Sequence, residues 1–579
     1  MKQYFCDVCR RIKMSVNRVF IVAFIVFTIP FSAVFAQSAT LSSSINIDGD
    51  KVTVSQRTAG ELEKTLGEQA YQTVRMLIVE GNVNADDMRF IKKLASRGKV
   101  LNAAGEKIEG YFDVDLSRIN YVGTGKFSYG DYQKQGITLE KQSFYFCSLL
   151  RSIALPFNTR VIGDECFAYC GKLRNVALPP RLTELGSKVF QNCQELSEIS
   201  LPNTITKIGK GCFQKCSKLK SLILPSSLIS LDEEAFLECQ ELSEISLPQT
   251  MIFIGKSCFQ KCSKLRSLIL PSNLCSLEDY VIAETGISQI VIPAAVKQIG
   301  KGVFSNTYIS EITIPAAVNS ISSSAFNGCK NLVTINVDPN NNAYCSSDGI
   351  LFSKDMTTLI RCPQRKMKTI IVPQSVTAIE ALAFDDCLDL SDIQLHDGIT
   401  SIGSYAFSSC KKLSGITLPS GLKEIPTGLF SGCWALKSII IPPRVEKIRT
   451  SAFSYCSSLS EITLPKGLKI IQSYAFNGCE SISTIELPSS LTSIGEEAFR
   501  KCRSLSFIAI PSSVTSMGEK IFYDCKSLEQ LLCFWTTPLN VKHVINEKQT
   551  ELVVPLGTKQ SYMKAKGWKS FKKIKERDD

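Results

Sequence analysis

Residues Leu487 to Leu505 read LPSSLTSIGEEAFRKCRSL. The stretch runs Leu-Pro, an apolar residue, Ile-Gly, Ala-Phe, a Cys three residues beyond the Phe, and Leu. The same cassette returns up and down the chain at a 23-residue step. Its Phe slot holds Phe144, Phe167, Phe190, Phe213, Phe236 and Phe259, then Phe384, Phe407, Phe430, Phe453, Phe476, Phe499 and Phe522. A fixed period of this length marks a solenoid, whose units have an apolar edge they can bury only against their neighbours.

One unit can be read residue by residue. Ser460-Glu461-Ile462-Thr463-Leu464 alternates polar and apolar, which predicts a half-buried strand. Pro465 has no N–H for a ladder and ends it. Ile-Gly closes a second extended piece, and Glu-Glu-Ala-Phe reads as a short helical turn that drives the Phe inward. Sixteen such repeats and one irregular unit fill residues 141–534. Stacked at strand spacing, they predict a continuous parallel sheet and an array of roughly 80 Å.

The period breaks twice. From Ile282 to Phe304 and from Phe304 to Phe326 the step is 22 residues, and from Phe326 to Phe384 it is 58. The second break contains an irregular insert at about 338–363. There Asp338, Asn340 and Asn342 imitate the first ligands of a calcium loop, but Ala343 stands at the required Gly and Gly349 at the closing Glu. A hairpin is the better reading. The array also records its growth: Cys193–Pro202 recurs at Cys239–Pro248, and Cys212–Leu219 at Cys258–Leu265, a duplication of two units. Contacts that run only between neighbours tolerate this.

The ends have a different texture. Residues 1–36 join a basic start to the apolar run Val19–Pro30 and the small-residue site before Gln37, which reads as a secretory signal peptide. Met14 would open a more conventional signal, leaving Cys6 and Cys9 outside the protein. Residues 37–140 read as an N-terminal capping domain, with a separate binding domain as the sharper alternative. Short helices are expected at 58–66 and from an Asn84/Asp87 N-cap through Met88, Ile91 and Leu94. Strands are expected at 74–79 and 115–122. Residues 535–579 read as a C-terminal cap with a last strand at Leu552–Val554. Tyr562, Trp568, Phe571 and Ile574 are expected in a capping helix among solvated lysines, against the alternative of a membrane-surface helix.

Composition narrows the chemistry. The formal charge of +12 falls to +8 without the first 36 residues, weak support for a nucleic-acid or membrane partner. No later run of about 18 apolar residues is present to span a membrane. There are only two histidines, His396 and His543, and this shortage counts against Ser-His and Cys-His nucleophilic chemistry and His-based metal sites, though not against carboxylate chemistry. His396 stands where a repeat Pro would be and reads as a turn substitution. Fourteen of the 23 Cys fill the Phe-x-x-Cys slot, from Cys147 to Cys525. One Cys per turn at one place reads as a column of buried, mostly reduced thiols, although stacked turns are within disulfide reach. No catalytic, metal or cofactor residues are legible; an enzyme with carboxylate chemistry in the insert or N-terminal domain is the remote alternative.

At this point the cassette is recognisable. LPSSLTSIGEEAFRKCRSL, with LPNTITKIGKGCFQKCSKL and LPSGLKEIPTGLFSGCWAL, resembles the BspA-like leucine-rich repeat family. The Asp348–Leu351 and Thr358–Pro363 stretches are similar to the irregular unit of that family. Val554–Gly557 with Tyr562, Gly567-Trp568 and Phe571 is similar to its closing segment. The resemblance implies an α/β-type repeat solenoid, a right-handed leucine-rich repeat superhelix with a parallel sheet, short helical turns and capped ends. It also implies a surface or secreted protein that binds proteins, such as host matrix proteins or another bacterial surface protein. A periplasmic or secreted scaffold, or a glycan-binding protein, is the alternative.

A ligand would meet the strand residues that face away from the core. One column begins Ser152, Asn175, Glu198, Ser221, Glu244, Ser267 and Gln289, and the other Ala154, Ala177, Ser200, Ile223, Ser246, Ile269 and Val291. They run on through Asp392, Gly415 and Ser438, and through Gln394, Thr417 and Ile440. The candidate ligand face comprises Glu198, Ser200, Ser221, Ile223, Glu244, Ser246, Ser267, Ile269, Glu311, Thr313, Glu461 and Thr463. The columns hold no Lys or Arg, and the one aromatic noted beside them is Phe507. A nucleic-acid track needs bases for phosphates and rings for stacking, so a protein partner fits better.

Overall fold

The computed structural model describes residues 44–577 apart from 68–69, 98–99, 102–106, 109, 123–136, 367 and 547–548. Residues 1–36, read from the sequence as a signal peptide, with Met14, Cys6 and Cys9, lie outside the described residues. The chain coils into a parallel β-solenoid of about 21 turns with little helix. That exceeds the seventeen units of the sequence period because chain on both sides of the periodic stretch coils in the same way.

Each turn contributes to two lines of parallel strands. The longer pieces precede the Leu-Pro junction, for example Ser221–Ile223 beside Glu244–Ser246, with Ser221 opposite Glu244 and Ile223 opposite Ser246. The shorter pieces carry the Ile before the Gly, as in Glu184–Leu185, Lys207–Ile208 and Ser230–Leu231. The long-strand line is not the continuous sheet expected from the sequence. Its ladder closes over pairs such as Thr369–Ile371 with Asp392–Gln394 and Ser438–Ile440 with Glu461–Thr463, and opens between them. Two- or three-residue strands leave few hydrogen bonds per rung, so small shifts between turns open the ladder.

The Phe arc corrects the expected helical turn. The residues two before and two after the slot Phe adopt left-handed backbone, except Ser324 before Phe326: Glu234 (φ 59°) and Glu238 (φ 62°) flank Phe236, and Glu497 (φ 52°) and Lys501 (φ 59°) flank Phe499. These flips point alternate N–H groups along the solenoid axis. Gln142, Phe144 and Phe146 donate to Asp164, Cys166 and Ala168 of the next turn at 2.8–2.9 Å. A helix would consume those N–H groups within its own turn. The arc is therefore a third ladder that ties turns together, and each bond offsets part of the cost of a left-handed L-residue.

The core follows from the slots. Phe rings stack from Phe144 to Phe259 and from Phe384 to Phe522, with adjacent centroids 5.0–5.7 Å apart. Ile282 breaks the stack before the short Phe304–Phe326 pair. Each slot Cys is buried and unbridged, and twelve of the fourteen donate Sγ–H to the Phe carbonyl one turn back, as in Cys170 to Phe144 at 3.1 Å and Cys525 to Phe499 at 3.1 Å. Cys147 and Cys387, which have no Phe one turn back, meet Ser96 and the Cys362 and Pro363 oxygens instead. In the two 22-residue turns Thr285 and Thr307 replace the Cys and bond the carbonyls of Ile282 and Phe304 within their own turn.

The insert is the hairpin expected, Tyr344–Ser347 antiparallel to Ile350–Ser353. Buried Asn341 fixes its base, accepting from the Ala343 and Tyr344 N–H groups and donating to Pro315 and Val318 oxygens. The hairpin divides the core, with Leu351 packed in one hydrophobic cluster and Ile350 and Phe352 in the next.

At the N-terminal side the strands Lys51–Gln56, Met76–Val83 and Phe112–Tyr121 continue the long-strand line into Leu150–Ala154. The helix Ala85–Ser96 carries the capping box read from Asn84 and Asp87. Asp87 is buried and accepts from Gly60, Leu62 and Asn84 main-chain N–H groups and from Gln56 Nε2 at 2.6–3.2 Å, so one carboxylate organises this region.

The C-terminal side corrects the capping helix. Among the described residues there, only Lys559–Lys564 is helical, and Lys573–Arg577 is a further parallel strand beyond Glu551–Pro555. Tyr562, Trp568 and Phe571 are buried, with Tyr562 Oη donating to Trp535 O and Trp568 Nε1 to Leu539 O. Their spacing of six and three residues reflects turns of chain passing over the core. Among the described residues no helix is long and apolar enough to cross a membrane.

Candidate functional site

The alternation of the long strands decides what the outer face presents. Leu222, Leu268 and Ile439 point into the core, so their neighbours on either side point out. All twelve residues of the candidate face are exposed. Ile223, Ile269, Val291 and Ile440 stand 73–84% exposed, which is unusual for branched aliphatic side chains held on ordered chain.

Two open depressions lie along this face. The smaller, about 460 Å³, has Ile223 and Ile269 on either side of Ser246, with Glu244 and Gln249 beside them. The larger, about 920 Å³, is formed by Asp392, Gln394, Thr417, Ser438 and Ile440 around Gly415. A Cβ built on Gly415 meets nothing within 4 Å. The depression thus exists because a side chain is missing from the column, and not because the backbone requires glycine. Its residues belong to the columns read from the sequence but not to the twelve chosen. The signal was the Gly itself, at a position where every neighbouring turn carries a larger residue.

The electrostatics separate this face from the flanks. On the flanks, charges pair between adjacent turns, as in Glu184–Lys207 (2.8 Å), Glu241–Lys264 (2.8 Å) and Glu446–Lys469 (3.0 Å). Among the described residues Glu198, Glu244, Glu311 and Glu461 enter no ion pair, and the columns contain no base to offer one. Lys220, Arg266 and Lys437 precede the strands, outside the columns.

The remaining sequence candidates have structural roles here. His396 Nε2 lies 2.9 Å from Pro373 O and its Nδ1 accepts from Gly398 N–H, so the ring holds the turn that Pro holds elsewhere. Asp338 Oδ1 accepts from Asn340 N–H in a local turn. Among the described residues no group of three or more His, Cys, Asp or Glu is placed to hold a metal ion.

A sequence model described as the BspA type leucine rich repeat region, built of six copies, matches residues 137–246, 229–348, 362–468 and 446–537. The chain belongs to the BspA-type leucine-rich repeat family. The family supports reading this BspA-type chain as a repeat protein for protein interaction. Solved structures similar to it include a leucine rich cell surface protein from Faecalibacterium prausnitzii, 21% identical over 82% of this chain and 95% of that one, with a TM-score of 0.41. A leucine-rich repeat protein from Eubacterium ventriosum is 26% identical over 53% of this chain and 83% of its own, also at 0.41. One from Bacteroides ovatus is 21% identical over 93% and 98%, at 0.32. Among curated proteins none matches the chain.

Proposed function

We propose that this chain is an exported, non-enzymatic interaction protein that binds a protein ligand on the outward face of its long-strand line, at the bacterial cell surface. The observation that carries the reading is the coincidence of three features on one face: exposed aliphatic side chains, unpaired carboxylates and both depressions. Export is supported by the signal-like order of residues 1–36, and the two ends serve as caps that shield the last turns of the core.

The test uses the purified protein against immobilised host matrix proteins, bacterial surface proteins and glycans. Gly415→Trp fills the larger depression without a clash at Cβ, and the pair Ile223→Lys and Ile269→Lys charges the smaller. Loss of a protein ligand with circular dichroism unchanged is the expected result. Unchanged binding would move the site to the ends or the insert, and capture of glycans alone would favour a glycan-binding role. Protease shaving of intact cells, with fractionation, separates surface from periplasm.

A further inference from the structure

The duplicated pair of turns presents one set of side chains twice. Glu198 and Ser200 return as Glu244 and Ser246, and Ser221 and Ile223 return as Ser267 and Ile269. The rings below them are 5.4–5.5 Å apart from turn to turn, so equivalent side chains two turns apart lie about 11 Å from one another. Ile223 and Ile269 flank Ser246 at that spacing, and Glu198 and Glu244 repeat at the same interval, one turn out of step. Flanking carboxylates such as Glu195 and Glu241 have lysine partners, whereas these two have none among the described residues.

We infer that this face takes an extended, basic segment of a partner protein, laid along the array in polyproline II conformation with basic side chains three residues apart. This rests on the reading above that the outward face is the ligand surface. Three properties of the face select that occupant. Its unpaired charge is negative, which calls for a cationic partner. Where the ladder is closed, as between Ser221–Ile223 and Glu244–Ser246, neighbouring turns already use the strand edges. A partner there has to lie across the face with its own backbone groups solvated, as polyproline II does. Finally, three residues of that helix rise about 9.3 Å and bring side chains back to the same side. A β-strand covers a similar distance in three residues but turns the third side chain away. Basic groups would then meet Glu198 and Glu244, with an apolar side chain seated between Ile223 and Ile269.

The probe is a labelled (Pro-Pro-Lys)4 peptide, measured by fluorescence anisotropy against the full chain. An isomer of the same composition with its four lysines consecutive is the control. The spaced peptide is expected to bind at least about tenfold tighter, and Glu198→Gln with Glu244→Gln to abolish that preference while leaving circular dichroism unchanged. Ile223→Ser with Ile269→Ser should weaken both peptides. Equal affinity of the two isomers, or indifference to the glutamine pair, would overturn the inference. If neither peptide binds while Ile223→Lys and Ile269→Lys still abolish capture of an intact protein, the inference falls and the broader reading stands. If the lysine pair also changes nothing, both fall.

Discussion

Arg361 Nη2 lies 3.4 Å from the main-chain oxygen of Phe326, an oxygen of the kind that elsewhere receives a cysteine thiol from the next turn. Cys362 occupies the Phe slot of this irregular turn, its N–H bonded to Ala383 O at 2.7 Å as that of Phe384 is to Ala406 O at 2.8 Å. Arg361 is buried in the resulting gap, and its guanidinium also reaches Leu382 O, Asp385 O and Asn327 Oδ1. It links the end of one ring stack to the start of the next. Arg361→Met keeps much of the volume but strands several buried carbonyls, each costing about 1–3 kcal/mol. A loss on the order of 3 kcal/mol is expected in urea unfolding; an unchanged midpoint would deny Arg361 this role.

Asp385, in the same gap, gives the joint a pH dependence. Burial pushes its carboxyl up to about 6, against the pull of Arg361 and with a further push from Asp386. The unfolded chain would hold that proton only below about 3.9. The folded state therefore binds the proton more tightly, and this group adds stability as pH falls from about 6 to about 4 and loses it on the way back. Asp385→Asn should raise the unfolding temperature near pH 7 and leave it unchanged near pH 4. A shift of equal size at both values would exclude the titration.

The ring stack can be tested at an interior rung. Phe476 lies 5.3 Å from Phe453 and 5.3 Å from Phe499. Phe476→Ala opens a cavity with no route to collapse, at about 3–5 kcal/mol. Phe476→Ile should cost clearly less, because Ile282 fills the same slot natively and is buried. Denaturant unfolding gives both numbers, and equal losses would contradict a slot defined by volume.

Much of this fold was legible because repetition amplifies weak signals. The slot Phe and Cys, the strand alternation, the Asn84/Asp87 box and the hairpin all follow from residue type and spacing. The Phe arc was not, because Glu-Glu-Ala-Phe has ordinary helical propensity and Lys, Glu and Tyr do not advertise left-handed backbone. What decides it is hydrogen bonding between turns, a term no single repeat contains. Only aligned glycines hinted at it, such as Gly428, where a Cβ would meet the Tyr405 ring of the previous turn at 2.1 Å. The outward columns could be read, but the depression at Gly415 depends on heights of neighbouring turns, which emerge only on stacking.

Left-handed positions make their own prediction. Lys501 (φ 59°) donates its N–H to Tyr523 O at 2.8 Å, so its conformation is fixed by the next turn. Lys501→Gly relieves about 1–2 kcal/mol of local strain but makes the unfolded chain freer, leaving a net change near zero or slightly stabilising. Lys501→Val adds a branched Cβ where it is least tolerated and should cost more than about 1 kcal/mol. Thermal unfolding should rank Gly at or above Lys, and Lys above Val. A valine variant as stable as the parent would argue against the left-handed arc.

The thiol column should be chemically silent until the solenoid opens. Thiolate is the reactive form, and burial pushes the column thiols of Cys193 and Cys216 well above their usual range and that of Cys166, beside the column, up to about 12. At about pH 8, a group at 12 is ionised in roughly one molecule in ten thousand. Cys275 is the exposed exception among the described cysteines. Cys147, the first rung, differs again: its side-chain contacts with Cys170 and with Ser96 Oγ, 3.3 Å away, hold its thiol below the usual range despite its burial. A thiol reagent added to the native protein should therefore label Cys275 promptly and Cys147 first among the column. Guanidinium without reductant should then release the rest. Few free thiols after denaturation would mean that neighbouring rungs are bridged and the reduced column is wrong; many thiols reacting at once in the native protein would mean that the turns open far more readily than their three ladders imply.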